Sequence, residues 1–152
     1  MMIAIGSDHA GFLLKQALEQ WLLANGYEVT DLGTYSEDRV DYPHYGALVG
    51  RAVARGEADR GVAVCGSGQG ICMAANKVPG VRGGVIRDVQ DAEMTRRHND
   101  ANVACFGERF TEPQAAIAAL QVFLTTPFDG GRHEARVQQL GRLDQSHGNP
   151  DV

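Results

Sequence analysis

Short apolar runs alternate along this chain with stretches whose apolar residues recur every three or four positions. Residues 2–6 read as a strand that runs out into Ser7, Asp8 and His9. From Gly11 onward Leu14, Leu18, Trp21 and Leu22 fall on one helical face, and Asn25 with Gly26 supplies a stop signal. A second strand over 27–32 leads into a polar, turn-rich loop over 33–43, with room for function. A helix from about 43 to 55 would bury Ala47, Leu48, Val49 and Ala52. The third strand is 61–64, and its helix begins near Gly70. A fourth strand over 81–86 precedes Asp88, a capping residue for a helix reaching Arg97 or His98. The fifth strand is 102–106. Pro113 sits in the first turn of a helix that opens near Thr111 and is apolar at Ala116, Leu120, Phe123 and Leu124. A last helix over about 131–143 carries Val137, Leu140 and Leu143 on one face, and a polar tail over 145–152 is expected to be disordered.

Five strand–helix alternations predict the α/β class: one Rossmann-like, doubly wound, five-stranded parallel sheet flanked by helices, in a single domain over 1–152. Ligands of such folds gather outside the carboxyl ends of strands, where strand order reverses. That rule brings Asp8 and His9, after the first strand, into one crevice with the turn after the third.

This turn is Cys65-Gly66-Ser67-Gly68-Gln69-Gly70. Glycines let backbone N–H groups face inward, and with the following helix N-terminus they attract negative charge. The same field favours a thiolate at Cys65, which makes it a candidate base or nucleophile. Known phosphate loops do not fit. A P-loop needs lysine after its last glycine, and a cysteine phosphatase loop needs arginine there, but the residue is Ile71. The dinucleotide fingerprint lacks its middle glycine, because Asp8 occupies that place in the Gly6–Gly11 stretch. His98, at a predicted helix end, is favoured as an imidazolium and hence as a proton donor. Arg132 and Arg136 are four apart on one helical face, so they either form a solvated basic face or clamp a phosphate with forked hydrogen bonds. Arg109 is a third phosphate candidate.

Composition narrows the choice. A formal charge of −5 gives no drive toward nucleic acid or anionic membranes, so an anionic ligand must be held by local cations. No apolar run approaches the ~20 residues of a membrane helix, and no secretory signal opens the chain. Cys65, Cys72 and Cys105 form no spaced metal motif, and each lies in or beside an apolar segment, as expected in a reducing cytoplasm. Cys72 and Cys105 read as core.

Taken together, these blocks closely resemble the type B ribose-5-phosphate isomerases, a family that includes allose-6-phosphate and galactose-6-phosphate isomerases. The likeness runs from Gly6-Ser7-Asp8-His9-Ala10-Gly11-Phe12 to Gly130-Gly131-Arg132-His133-Glu134-Ala135-Arg136. Between them stand Asp41-Tyr42-Pro43-His44, the Cys65–Gly70 turn, Ala74-Ala75-Asn76-Lys77, His98-Asn99-Asp100-Ala101-Asn102-Val103 and Phe106-Gly107-Glu108-Arg109.

The resemblance implies a homodimer with active sites at the subunit interface, a C-terminal helix reaching the partner, and no metal or organic cofactor. It makes Cys65 the base that moves a proton between C1 and C2, and gives His98 a part in opening the sugar ring. The amides of Gly66, Ser67, Gly68, Gln69 and Gly70, with Ser67 and Asn99, would hold the enediolate oxygens. Asp8 and His9 would bind substrate, and Tyr42 would line the pocket. His9, Arg109, Arg132 and Arg136 would surround the phosphate, some of them across the dimer. Some relatives use a glutamate just after the glycine loop; Cys65 and Ile71 mark this chain as similar to the cysteine subtype. A hexose 6-phosphate or tetrose 4-phosphate isomerase, and a non-catalytic sugar-phosphate or nucleotide-binding module, remain the competing expectations.

Overall fold

Along the central strands, large apolar side chains on one face alternate with smaller residues on the other, and this alternation sorts the helices between two layers. The computed structural model describes residues 1–146. Its strands are β1 (Met2–Ser7), β2 (Glu28–Asp31), β3 (Arg60–Cys65), β4 (Gly83–Val85) and β5 (Val103–Gly107). Its helices are α1 (Phe12–Ala24), α2 (Tyr42–Ala54), α3 (Gln69–Asn76), α4 (Val89–Asn99), α5 (Pro113–Thr125) and α6 (Glu134–Leu143). Ile3, Ile5, Val62, Val64, Ala104 and Phe106 pack with Leu14, Leu18 and Leu22 of α1, Ala92 of α4, and Leu120 and Phe123 of α5. The opposite face, through Ala63, Cys65, Val103 and Cys105, packs with Val49 of α2 and with Ile71, Cys72 and Ala75 of α3. Each fully buried leucine here contributes on the order of 1.5–3 kcal/mol of transfer free energy.

All four strand pairings are parallel, in the order β2-β1-β3-β5-β4. The chain leaves β1 for β2 on one side and returns to the other side for β3, so strand order reverses between β1 and β3. There the register sets Ser7 beside Val64, and the Asp8 amide donates to the Val64 carbonyl at 3.2 Å. The two candidate loops therefore leave the sheet side by side.

Three elements differ from the sequence reading. A short 3₁₀ turn, His9–Gly11, precedes α1, capped by the Asp8 carboxylate. The fourth strand shrinks to Gly83–Val85; before its start the Asn102 side chain takes the Arg82 amide at 2.7 Å and donates to the Gly80 carbonyl at 2.8 Å. The last helix is split into a 3₁₀ turn, Gly131–His133, and α6. None of the α6 residues is buried, and its Leu140 and Leu143 are 45% and 48% exposed. Of the expected tail, only Gln145 and Ser146 fall within the described residues, closing a 3₁₀ turn that starts at Asp144.

Candidate active site

The glycine turn between β3 and α3 is built around the sulfur. Cys65 ends β3 at 4% exposure, and the Gly68 amide donates to its Sγ at 3.1 Å. Gly68 adopts φ +78, and a Cβ there would meet the Phe106 carbonyl carbon at 2.9 Å, so conformation and space both demand glycine. Gly66 and Gly70 serve close approach instead. A Cβ on Gly70 would lie 2.6 Å from the Tyr42 ring, and one on Gly66 would lie 3.2 Å from the Arg109 guanidinium carbon. These two side chains thus rest on bare backbone. The Gln69 amide donates to Ser67 Oγ at 3.2 Å. Two of the five loop amides expected to face substrate are therefore engaged within the loop. The Gly70 and Ile71 amides, in the first turn of α3, have no carbonyl upstream in their own helix.

Asp8, His9, Tyr42, Cys65, Gly66, Ser67, Gly70 and Arg109 line one cavity of about 220 Å³ at the switch point. Asp8 Oδ1 accepts the amides of Ala10 at 3.0 Å and Gly11 at 3.1 Å. Burial pushes the Asp8 carboxyl above the usual range, against the opposing pull of those amides and of His9 and Arg109. Nδ1 of His9 lies 3.2 Å from the Val40 amide and 3.1 Å from the Val40 carbonyl. A ring with its proton on Nε2 alone accepts from that amide, whereas one protonated at Nδ1, the imidazolium included, donates to the carbonyl. The loop before α2 therefore fixes the imidazole in both states. Glu108 was not singled out by the sequence: its Oε2 accepts the Leu14 amide at 2.9 Å. Its own amide bonds the Cys65 carbonyl and that of Arg109 bonds the Gly66 carbonyl, both at 3.0 Å. Glu108 so ties the Arg109 segment to α1 and to the turn carrying Cys65.

His98, Asn99, Arg132 and Arg136 stand apart from that cavity. The His98 ring, near the end of α4, stacks on His133 with centroids 4.3 Å apart and planes 12° apart. Arg97 Nε donates to both Asp129 oxygens at 3.1 Å, which ties the segment bearing Arg132 and His133 to α4 and holds the Asp129 carboxyl below its usual range. Arg132 Nε donates to His133 Nε2 at 3.4 Å. Desolvation, then the charges of His98, Arg132 and Arg136, holds His133 below the ordinary imidazole range. Ligand-type atoms of His98, Asp129 and His133 lie within 4.8 Å of one another. As arranged they do not converge on a metal: the rings are parallel, so their in-plane lone pairs do not meet, and Arg97 engages the carboxylate. Asn99 borders a separate cavity of about 440 Å³ with Asn76, Arg82, Leu140 and Asp144. Cys72 and Cys105 are buried in the core, as the sequence suggests. Their mutual hydrogen bond lowers the pKa of the Cys72 thiol and, with full burial, pushes that of Cys105 well up.

A parallel sheet that presents a thiol, an imidazole, a carboxylate and an arginine around a glycine turn at its switch point defines an α/β protein built for small anionic ligands. The chain belongs to the ribose/galactose isomerase family, whose model matches residues 3–140. Ribose-5-phosphate isomerase B of Escherichia coli (strain K12) is 43% identical over 143 residues, covering 94% of this chain and 96% of that protein. The solved structure of the Clostridium thermocellum ribose-5-phosphate isomerase B matches with a TM-score of 0.96 at 44% identity, covering 97% of this chain and 100% of that one. A Mycoplasma genitalium ribose-5-phosphate isomerase B, solved with bound ribulose-5-phosphate, matches with a TM-score of 0.90 at 37% identity, covering 95% and 96%.

Proposed function

We propose that this chain is an aldose–ketose isomerase that interconverts ribose 5-phosphate and ribulose 5-phosphate through an enediolate, with Cys65 as the base. The observation that carries the reading is the Cys65 sulfur, set among Asp8, His9, Tyr42, Ser67 and Arg109 in one cavity at the switch point of the sheet. In the open-chain aldose the Cys65 thiolate removes the C2 proton. The C–H pair becomes the C1–C2 double bond, and the carbonyl pair moves onto O1. The thiol then returns the proton to C1 as the O2 pair forms the new carbonyl and a proton passes from O2 to O1. Negative charge develops beside the α3 N-terminus, where one aimed donor is worth roughly 3–4 kcal/mol in comparable oxyanion holes. Arg109 and His9, in the same cavity, receive the phosphate, and its binding energy positions the reacting carbons.

His98, Asn99, Arg132 and Arg136 act from a second copy of the chain. They lie on α4, on the segment before α6 and on α6 itself, away from the Cys65 cavity, and none of the α6 residues is buried. In a homodimer each Cys65 cavity is closed by the partner's ring-opening imidazole and phosphate-binding arginines. The three free cysteines suit a reducing cytoplasm, and no helix among the described residues is long and apolar enough to cross a membrane.

Steady-state kinetics on aldose phosphates of four, five and six carbons tests the assignment, with exchange of the ribulose 5-phosphate C1 proton in deuterated water. The five-carbon sugar should give the highest kcat/KM, and exchange should accompany turnover. A preference for a hexose or tetrose phosphate would move the substrate while keeping the chemistry. Binding without exchange would identify a non-catalytic module.

A further inference from the structure

Among the described residues, one non-glycine has a positive φ: Asp100, at φ 47 and ψ 43. It caps α4 directly after His98 and Asn99, a position that usually takes glycine or asparagine. Its carboxylate is gripped by two arginines. Oδ2 accepts from Arg82 Nη2 at 2.9 Å, and Oδ1 accepts from Arg96 Nη1 at 2.8 Å. Both arginines also hold the surrounding backbone. Arg82 Nε donates to the carbonyls of Asn99 at 3.2 Å and Asp100 at 3.0 Å. Arg96, 3% exposed, donates to the Ala101 carbonyl and, through Nε, to the Thr126 carbonyl at 3.2 Å, with its guanidinium over the Phe123 ring. One turn is thereby fixed from the approach to β4, from α4 itself and from the end of α5.

We propose that Asp100 is a positioning residue of the isomerase site. With Arg82 and Arg96 it locks the last turn of α4, and so fixes the directions in which His98 and Asn99 leave the helix. Glycine would end the helix here without a Cβ penalty. What aspartate adds is an anionic anchor for two cations whose other hydrogen bonds are to backbone carbonyls in and around the same turn. The inference rests on the roles proposed above for His98 and Asn99.

The test is a mutant cycle on full-length enzyme with ribose 5-phosphate. Asp100→Asn tolerates the left-handed backbone and removes the charge. Arg82→Gln leaves the buried Arg96–Asp100 pair intact, so the clamp is weakened in a chain that keeps its fold. Each should lower kcat by about tenfold to a hundredfold, the scale of a small misplacement, with KM nearly unchanged. In a His98→Ala/Asn99→Ala background the same changes should cost nothing further, which a role in stability alone would not produce. Equal losses in both backgrounds, or no loss in either, would overturn the proposal. If the His98→Ala/Asn99→Ala enzyme itself keeps full turnover, the roles assigned to those side chains fail. The positioning claim then falls with them, and that result is distinct from additive losses.

Discussion

At the residue scale the chemistry turns on what can serve as a base at the end of β3. A thiolate there receives the Gly68 amide on its sulfur and faces the cavity shared with Asp8 and Ser67. An alcohol of the same shape is a far weaker acid and would remain protonated. Cys65→Ser should therefore lower kcat by roughly 10²–10⁴, the usual contribution of a positioned general base, while KM changes little. Exchange of the ribulose 5-phosphate C1 proton should fall in parallel; exchange at the wild-type rate would remove the sulfur from proton transfer. That Cys65, Asp8 and His9 share one crevice was legible in the sequence because all three sit where a parallel sheet puts its ligands, at or just past strand ends. Glu108 was not, because its partner is the Leu14 amide, 94 positions away. His133 carries no signal of its own in the sequence, since no spacing rule announces its stack on the His98 ring.

At the element scale the turn from β3 to α3 depends on three glycines for different reasons: Gly68 for its left-handed φ, Gly66 and Gly70 for the side chains resting on them. Gly68→Ala combines a disfavoured backbone with a Cβ driven into the Phe106 and Gly107 backbone, and should cost about 1–3 kcal/mol. Urea unfolding would measure that loss, and turnover should drop with it as the amide leaves the sulfur. An alanine variant as stable and active as wild type would contradict this account of the loop. Periodicity located all five strands and the helices between them, because each buries a face against one continuous sheet. It overextended β4, ahead of which the Asn102 side chain takes the Arg82 amide and donates to the Gly80 carbonyl. It started the helical pattern at Gly11 and passed over the His9–Gly11 turn, since the cap is Asp8 rather than a residue adjoining that pattern. For α6 the apolar stripe was visible but not that none of its residues is buried, as a pattern shows that a face is apolar and not what covers it.

At the scale of the whole molecule, the residues assigned to one reaction fall into two groups that a single chain keeps apart. One lines the Cys65 cavity; the other surrounds the stacked His98 and His133. In a closed two-fold dimer, each site would combine the first group of one protomer with the second group of its partner. This has a consequence that neither group has alone. Cys65→Ala and His98→Ala enzymes should each be nearly inactive, because every site in either homodimer lacks one member. After the two are dissociated together and reassembled, about half the dimers are mixed, and each mixed dimer holds one site with both members intact and one lacking both. The mixture should therefore recover about a quarter of wild-type turnover, with wild-type KM, since the surviving sites are unaltered. Recovery should require reassembly and fail when the two proteins are only mixed as preformed dimers that do not exchange. If sites were instead complete within one protomer, every subunit would still carry its own defect in the mixed dimer, and no activity would return at any mixing ratio.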